Sequence, residues 1–176
     1  MARTIKGNEY AIQSYIFTTA KYDFNAYEKR IMYRLVEFAQ DEIRGIMIRD
    51  NLHKITPTLF GREITMPVAD ILRNEKDQNY TIAKNAFRSL AQKGIEYEDD
   101  EIWQYTSIIL SPKIDKIKGF VIFTVVDDIW KCLLDFTKGY RKYELITAMQ
   151  FKSVYSMRMY ELLSGQTRPL DCSFEV

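Results

Sequence analysis

The side chains whose type and spacing suggest chemistry in this chain are cationic and amide groups set at helical or hairpin intervals. Lys84, Asn85 and Arg88 fall within NYTIAKNAFRSL. Arginine pairs bidentately with guanine and asparagine with adenine, so a helix presenting this trio can reach base edges or phosphates. Lys113, Lys116 and Lys118 lie in SPKIDKIKG, where a hairpin tip would offer them to phosphates or to a minor groove. A third group comprises Lys138, Arg141, Lys142, Lys152, Ser153 and Arg158. Of these, Lys152 and Ser153 open a helix whose first N–H groups and dipole favour a phosphate oxygen. Each group also has a plainer reading. The helix trio suits an ordinary solvated face, the hairpin lysines suit solubility, and Arg158 can pair with Glu161 or Glu144 inside the fold.

The bulk numbers limit which chemistry is open. A formal net charge of +1 and a pI near 7.7 give no polyelectrolyte excess, so a nucleic-acid surface must arise by segregating charge. At 176 residues, 47% hydrophobic and 14% aromatic, the chain is long and apolar enough for one domain with a real core. Neither GxxxxGK[ST] nor GxGxxG is present, and the single histidine, His53, cannot supply the paired metal-binding histidines of rolling-circle nickases. His53 is expected in a solvated loop. The acidic cluster Glu96, Glu98, Asp99, Asp100 and Glu101 lacks the glycine spacing of a calcium loop and is expected to be a solvated turn. Cys132 and Cys172 have no metal-ligand spacing, and Cys132, inside an apolar run, is expected to be a buried free thiol. No nucleophile, base and orienting group can be named together, so no enzyme, cofactor or metal is expected. The N-terminus MARTIKGNEY has no apolar signal core, and no apolar run approaches the roughly 20 residues of a membrane helix. No membrane partner is expected, and a reducing cytoplasm fits best.

The elements that must position these groups follow from periodicity and punctuation. Residues 1–7 read as a flexible basic arm, and Asn8 to Ala20 suits a short helix or a strand equally. Asn25 and Glu28 form a capping box for a helix running to about Gln40 with Tyr27, Ile31, Leu35 and Phe38 as its apolar stripe. From Asp41 to Gly61 periodicity fades, which predicts a helix end and a long connection. REITM is a strand, PVADILRN a brief helix opened by Pro67, and EKDQN a polar turn. Tyr80 to Lys93 is helical, with Ile82, Ala83, Ala86, Phe87 and Leu90 inward, Lys84, Asn85, Arg88 and Gln92 outward, and Gly94 as terminator. EIWQYTSIIL and GFVIFTVV read as two strands of a hairpin whose basic tip is Ser111 to Gly119. The order strand, two helices, hairpin predicts an α+β winged helix with additional helices. A short helix, DDIWKCLLD, follows with Trp130, Leu133 and Leu134 inward, and then a basic loop, FTKGYRK. From Tyr143 to Phe151 larger apolar residues alternate as in a strand. Ser153 then caps a helix with Tyr155, Met159, Leu162 and Leu163 on one side and Gly165 at its C′ position.

That last run, FKSVYSMRMYELLSG, resembles a motif of the replication initiator (Rep) proteins of iteron-bearing plasmids. There, a Ser-x-Tyr-x-x-Arg-x-Tyr-Glu-Leu-Leu helix closes the first of two winged-helix domains. Ser153, Tyr155, Arg158, Tyr160, Glu161, Leu162 and Leu163 match it. The likeness covers roughly Asn8 to Gly165 and takes in the helix with Arg30 and the NYTIAKNAFRSL helix. It implies a bacterial, cytoplasmic initiator that binds origin repeats (iterons) in double-stranded DNA as a monomer and represses its own promoter as a homodimer. Host replication proteins such as a helicase or its loader are the further partners implied. In this family the second winged helix supplies most of the major-groove reading, whereas the first carries dimerisation and mainly backbone contacts. The expected organisation is therefore a winged-helix domain over residues 8–165, with 166–176 as a tail or the start of a second winged helix. A dimerisation module without DNA binding of its own is the alternative, with EIWQYTSIIL and GFVIFTVV as apolar edges able to pair with a second copy.

Overall fold

Asn25 begins the first helix, α1 (Ala26–Ile43), in a computed structural model that describes residues 24–45, 52–72, 79–98, 100–136 and 147–164. Its Oδ1 accepts from the N–H groups of Tyr27 and Glu28 at 2.9 Å, and its own N–H donates to Glu28 Oε2 at 2.8 Å. The capping box thus forms as expected. Ile31, Leu35 and Phe38 face the core as the stripe requires, but the helix runs to Ile43 and is enclosed on its polar side too. Glu28, Lys29, Arg30, Glu37, Gln40 and Asp41 are all buried. Burial of such groups is tolerated where partners replace water. Glu28 Oε2 also accepts from Lys93 Nζ at 2.9 Å, Lys29 Nζ lies 5.2 Å from the Tyr33 ring centre, and Arg34 meets Glu37 at 2.7 Å.

The region from Asp41 to Gly61 is more than a connection. It contains β1 (Lys54–Thr58), which pairs antiparallel with β2 (Gly61–Pro67). Pro57 obscures this strand in the sequence, yet β1 is an edge, where the missing N–H of a proline breaks no ladder. Gly61 is required at the corner: its φ is +152°, and a Cβ there would lie 2.0 Å from the Val125 carbonyl oxygen. His53, expected in a solvated loop, instead meets Asp70 Oδ2 at 2.5 Å, with its ring centre 5.7 Å from that of Phe38.

The four-stranded sheet has the order β1-β2-β6-β5, with β5 (Leu110–Asp115) and β6 (Phe120–Val126) as its hairpin. Ile64 opposite Phe123 and Met66 opposite Val121 form the inner face, where alternation places every second residue. Helix α2 (Tyr80–Ala91) packs there through Phe87, whose ring centre is 5.3 Å from that of Phe123. Helix α3 (Asp127–Phe136) buries Ile129, Trp130 and Leu133, and Cys132 is buried as expected. Trp130 Nε1 donates to Glu42 Oε2 at 2.9 Å, tying α3 to the end of α1.

Three further expectations change. PVADILRN shrinks to a 3₁₀ turn at Val68–Asp70, because Pro67 remains extended and Val68 N–H is taken by the Gly119 carbonyl at 2.9 Å. EIWQYTSIIL is not one strand. Trp103–Ser107 (β4) pairs with Gly94–Glu98 (β3) in a separate two-stranded ribbon, so Glu96 and Glu98 belong to a strand and not to a turn. Ile108 and Ile109 are buried between the two sheets, and Ile108 N–H donates to the Lys93 carbonyl at 3.1 Å, which lets the chain change sheets there. GFVIFTVV, expected as an exposed edge, is the interior strand β6; the edges are β1 and β5.

Before the last helix, residues 147–149 form a helical turn instead of a strand, with Phe151 N–H donating to the Ala148 carbonyl at 3.2 Å. Ser153 caps α4 (Val154–Ser164) as expected, its Oγ accepting from Tyr155 N–H at 3.2 Å. The inward side of α4 is Met157 and Tyr160, not Tyr155 and Met159, which are 85% and 51% exposed. The arm over residues 1–7, Asn8 to Ala20, most of the EKDQN turn, the FTKGYRK loop beyond Phe136, residues 143–146, Gly165, Cys172 and the tail at 166–176 lie outside the described residues. Element order and sheet pairing give the α+β winged helix expected, with a ribbon inserted between α2 and the wing.

Candidate nucleic-acid interface

Asn79 starts α2 by accepting the Ile82 N–H on its side chain at 3.3 Å, and Ala83, Ala86, Phe87 and Leu90 fix the rotation of the helix by facing the core. That rotation turns Lys84, Asn85 and Arg88 outward, and all three are exposed. Tyr80, Lys84 and Arg88 are four residues apart and so form one row along the helix. No carboxylate occurs in the α2 sequence.

The row begins at the wing. A Cβ built at Gly119 would lie 3.5 Å from the Tyr80 hydroxyl, so the last residue of the hairpin turn abuts the first residue of α2. The tip is shorter than expected, occupying Lys116 to Gly119, with Lys113 within β5. Asp115 Oδ1 accepts from Ile117 N–H and Lys118 N–H, both at 3.0 Å, and Gly119 N–H donates to the Asp115 carbonyl at 2.8 Å. Gly119 has φ +73°, the left-handed conformation that suits glycine. The Lys118 N–H holds the Asp115 carboxyl below its usual range, reinforced by the Ile117 N–H and by the charges of Lys118 and Lys113, against a smaller opposing effect of burial. Lys116 and Lys118 are exposed at this tip.

Lys113 is exposed but stands apart from the α2 row. A bulge between Leu110 and Lys113, with Ser111 at φ +49°, sets its register opposite Ile122. The outer-face row is Lys54, Thr65, Ile122 and Lys113, and α2 packs on the other face. Lys152 and Ser153 are exposed at the start of α4, whereas Arg158 is only half-exposed. Arg141 and Lys142, with Lys138, lie outside the described residues.

Sequence reasoning missed two parts of this arrangement. Ile117, at 99% exposure, is the apex of the wing between the two lysines, and the Asp-Lys-Ile-Lys-Gly order is the signal of the side-chain-capped turn that holds it there. Arg30 is 2% exposed and ties α1 to the start of α4: its Nε donates to the Met149 carbonyl at 3.1 Å and its Nη2 to the Phe151 carbonyl at 3.2 Å. Charge is segregated by element. Lys84, Arg88, Lys113, Lys116 and Lys118 share α2 and the wing with the single carboxylate Asp115, while the segment 94–101 carries only acidic charges. Among the described residues, no group of His, Cys, Asp and Glu is placed to hold a metal ion.

No curated protein sequence matches this one. A solved structure similar to it is the WH1 domain of MSBI1.176, a replication protein isolated from a multiple sclerosis patient, at 12% identity and a TM-score of 0.46 over 75% of this chain and 99% of that chain. The model of the family described as Initiator Replication protein, WH1, matches residues 10–164, nearly the whole winged-helix region, and the chain therefore belongs to the WH1 family of initiator replication proteins.

Proposed function

We propose that this chain is the WH1 domain of a bacterial plasmid replication initiator that acts in the cytoplasm, without catalysis, by binding the double-stranded DNA of origin repeats and of its own promoter. The observation that carries this reading is the acid-free outer row of α2, which meets the lysine-bearing wing at Tyr80 and Gly119. Lys84, Arg88, Lys116 and Lys118 then supply phosphate contacts, and Asn85 stands where an amide reaches a base edge. Lys113 on the outer sheet face, Lys152 and Ser153 at the start of α4, Arg158 within that helix, and Arg141 and Lys142 complete the proposed set. Such binding releases counterions, so affinity falls steeply with salt. The test is a salt-titrated affinity measurement of the whole chain on duplex DNA. Lys84→Ala and Arg88→Ala should each weaken binding and flatten the log–log salt slope by about 0.9. Binding indifferent to salt and to both substitutions refutes the reading.

Homodimerisation is the second part of the proposal, and a module that only dimerises is its competitor. It is supported by apolar surface left open on and beside β4, where Ile102, Trp103 and Tyr105 are 52%, 61% and 48% exposed. Sedimentation equilibrium should show concentration-dependent dimers; a monomer at all concentrations removes it. Host helicase or its loader is a proposed partner by family membership alone.

A further inference from the structure

The wing tip carries an apolar side chain that the fold does not use. Ile117 is 99% exposed, whereas its hairpin neighbours Ile114, Phe120 and Val121 are partly or fully buried. A lone exposed apolar residue is ordinary on a protein surface. This one differs in how it is held. The Asp115 carboxylate is committed to the N–H groups of Ile117 and Lys118, Gly119 N–H closes the turn on the Asp115 carbonyl, and the Gly119 carbonyl accepts from Val68 N–H. The backbone beneath Ile117 is thus fastened to the 3₁₀ turn that precedes α2, and the one negative charge at the tip is turned onto its own backbone. What projects is Lys-Ile-Lys, with both lysines exposed.

We propose that Ile117 is an apolar wedge for the minor groove of duplex DNA, with Lys116 and Lys118 reaching the phosphates on either side. The proposal rests on the DNA-binding reading above and adds to it the residue that makes non-ionic contact. Proteins that enter the minor groove press aliphatic side chains against base steps while cations take the flanking phosphates. A tip of this composition would also suit an anionic bilayer. The duplex is favoured because the same turn abuts Tyr80, from which the Lys84 and Arg88 row extends. A pre-ordered turn binds without first having to lose conformational freedom, which favours a specific groove contact.

The test compares the full chain with Ile117→Ala, Lys118→Ala and Lys84→Ala on a fluorescein-labelled duplex of mixed sequence across a salt titration. Ile117→Ala should weaken binding about five- to tenfold, as expected for losing about half the burial of one aliphatic side chain in an open groove, and leave the salt slope unchanged because no counterion is involved. Lys118→Ala should flatten the slope by about 0.9. Netropsin, which fills the minor groove, should abolish the difference between the parent chain and Ile117→Ala. Wild-type affinity in Ile117→Ala alongside weakened Lys84→Ala overturns the wedge and leaves the DNA-binding reading intact. Absence of salt-sensitive binding by the parent chain overturns that reading itself. A lowered melting temperature in Ile117→Ala, or lost binding to phosphatidylserine vesicles with DNA affinity unchanged, also overturns the wedge, by assigning the side chain to the fold or to a membrane.

Discussion

Replacing Arg30 by alanine should be among the most damaging single changes available outside the apolar core. The guanidinium is buried, donates to the Met149 and Phe151 carbonyls at 3.1 and 3.2 Å, and lies 5.0 Å from the Tyr27 ring centre. Hydrogen bonds from a charged donor contribute about 1.5 kcal/mol or more each, and the ring contact about 0.5–1 kcal/mol. Part of this is offset because alanine no longer confines a charge away from water. A net loss of about 3 kcal/mol is expected for Arg30→Ala. For a chain of 176 residues, that corresponds to a fall in Tm of about 6–12 °C. Arg30→Lys should recover less than half of it, since an ammonium lacks the fork that serves two carbonyls at once. Thermal unfolding followed by circular dichroism measures both variants. Amide exchange locates the effect, which should fall first on residues 147–157, where the two carbonyls lead into α4. A Tm within 2 °C of the parent for Arg30→Ala, or full recovery by lysine, would show that the two contacts do not hold this junction.

Two further outcomes follow from the caps. Asn25→Ala removes the acceptor of the Tyr27 and Glu28 N–H groups and should cost about 1 kcal/mol, read as a fall in Tm of about 2–4 °C. The wing turn should depend on pH in the acid range only. Because the folded Asp115 carboxyl titrates below its ordinary value of 3.8, the stabilisation it gives is present above that value and is lost as pH falls through the lower folded value. The amide resonances of Ile117 and Lys118 should therefore stay constant from neutral pH down to about 4 and move together below it; movement near pH 6 would contradict the assignment.

Local signals carried much of this fold into view. The capping box at Asn25 and Glu28, the 3.6-residue repeat of α2, the β-branched run of β6 and the Ser153 cap all act within a few residues, and each element stands where its signal lies. What stayed hidden depends on contacts made across the chain. Pro57 and Gly61 mark a loop by local rules, and only pairing of β1 as an edge with β2 makes a strand of that segment. Two adjacent isoleucines, Ile108 and Ile109, read as the continuation of a strand but are the point at which the chain leaves one sheet for another. On α4, apolar residues occur on several sides, so periodicity alone could not choose between Tyr155 with Met159 and Met157 with Tyr160. The preceding turn, held by Arg30, decides it.

The same division applies to the candidate interface. By itself the sequence determined which side chains of α2 point outward, because burying Ala83, Ala86, Phe87 and Leu90 leaves Lys84, Asn85 and Arg88 only the opposite side. It also determined that any nucleic-acid surface had to come from segregated charge, since the net charge is +1. Only the tertiary structure decided that the wing turn abuts Tyr80 and that a one-residue bulge sends Lys113 to the far face of the sheet. Those placements depend on strand register, which is a property of two segments meeting and is written in neither one alone.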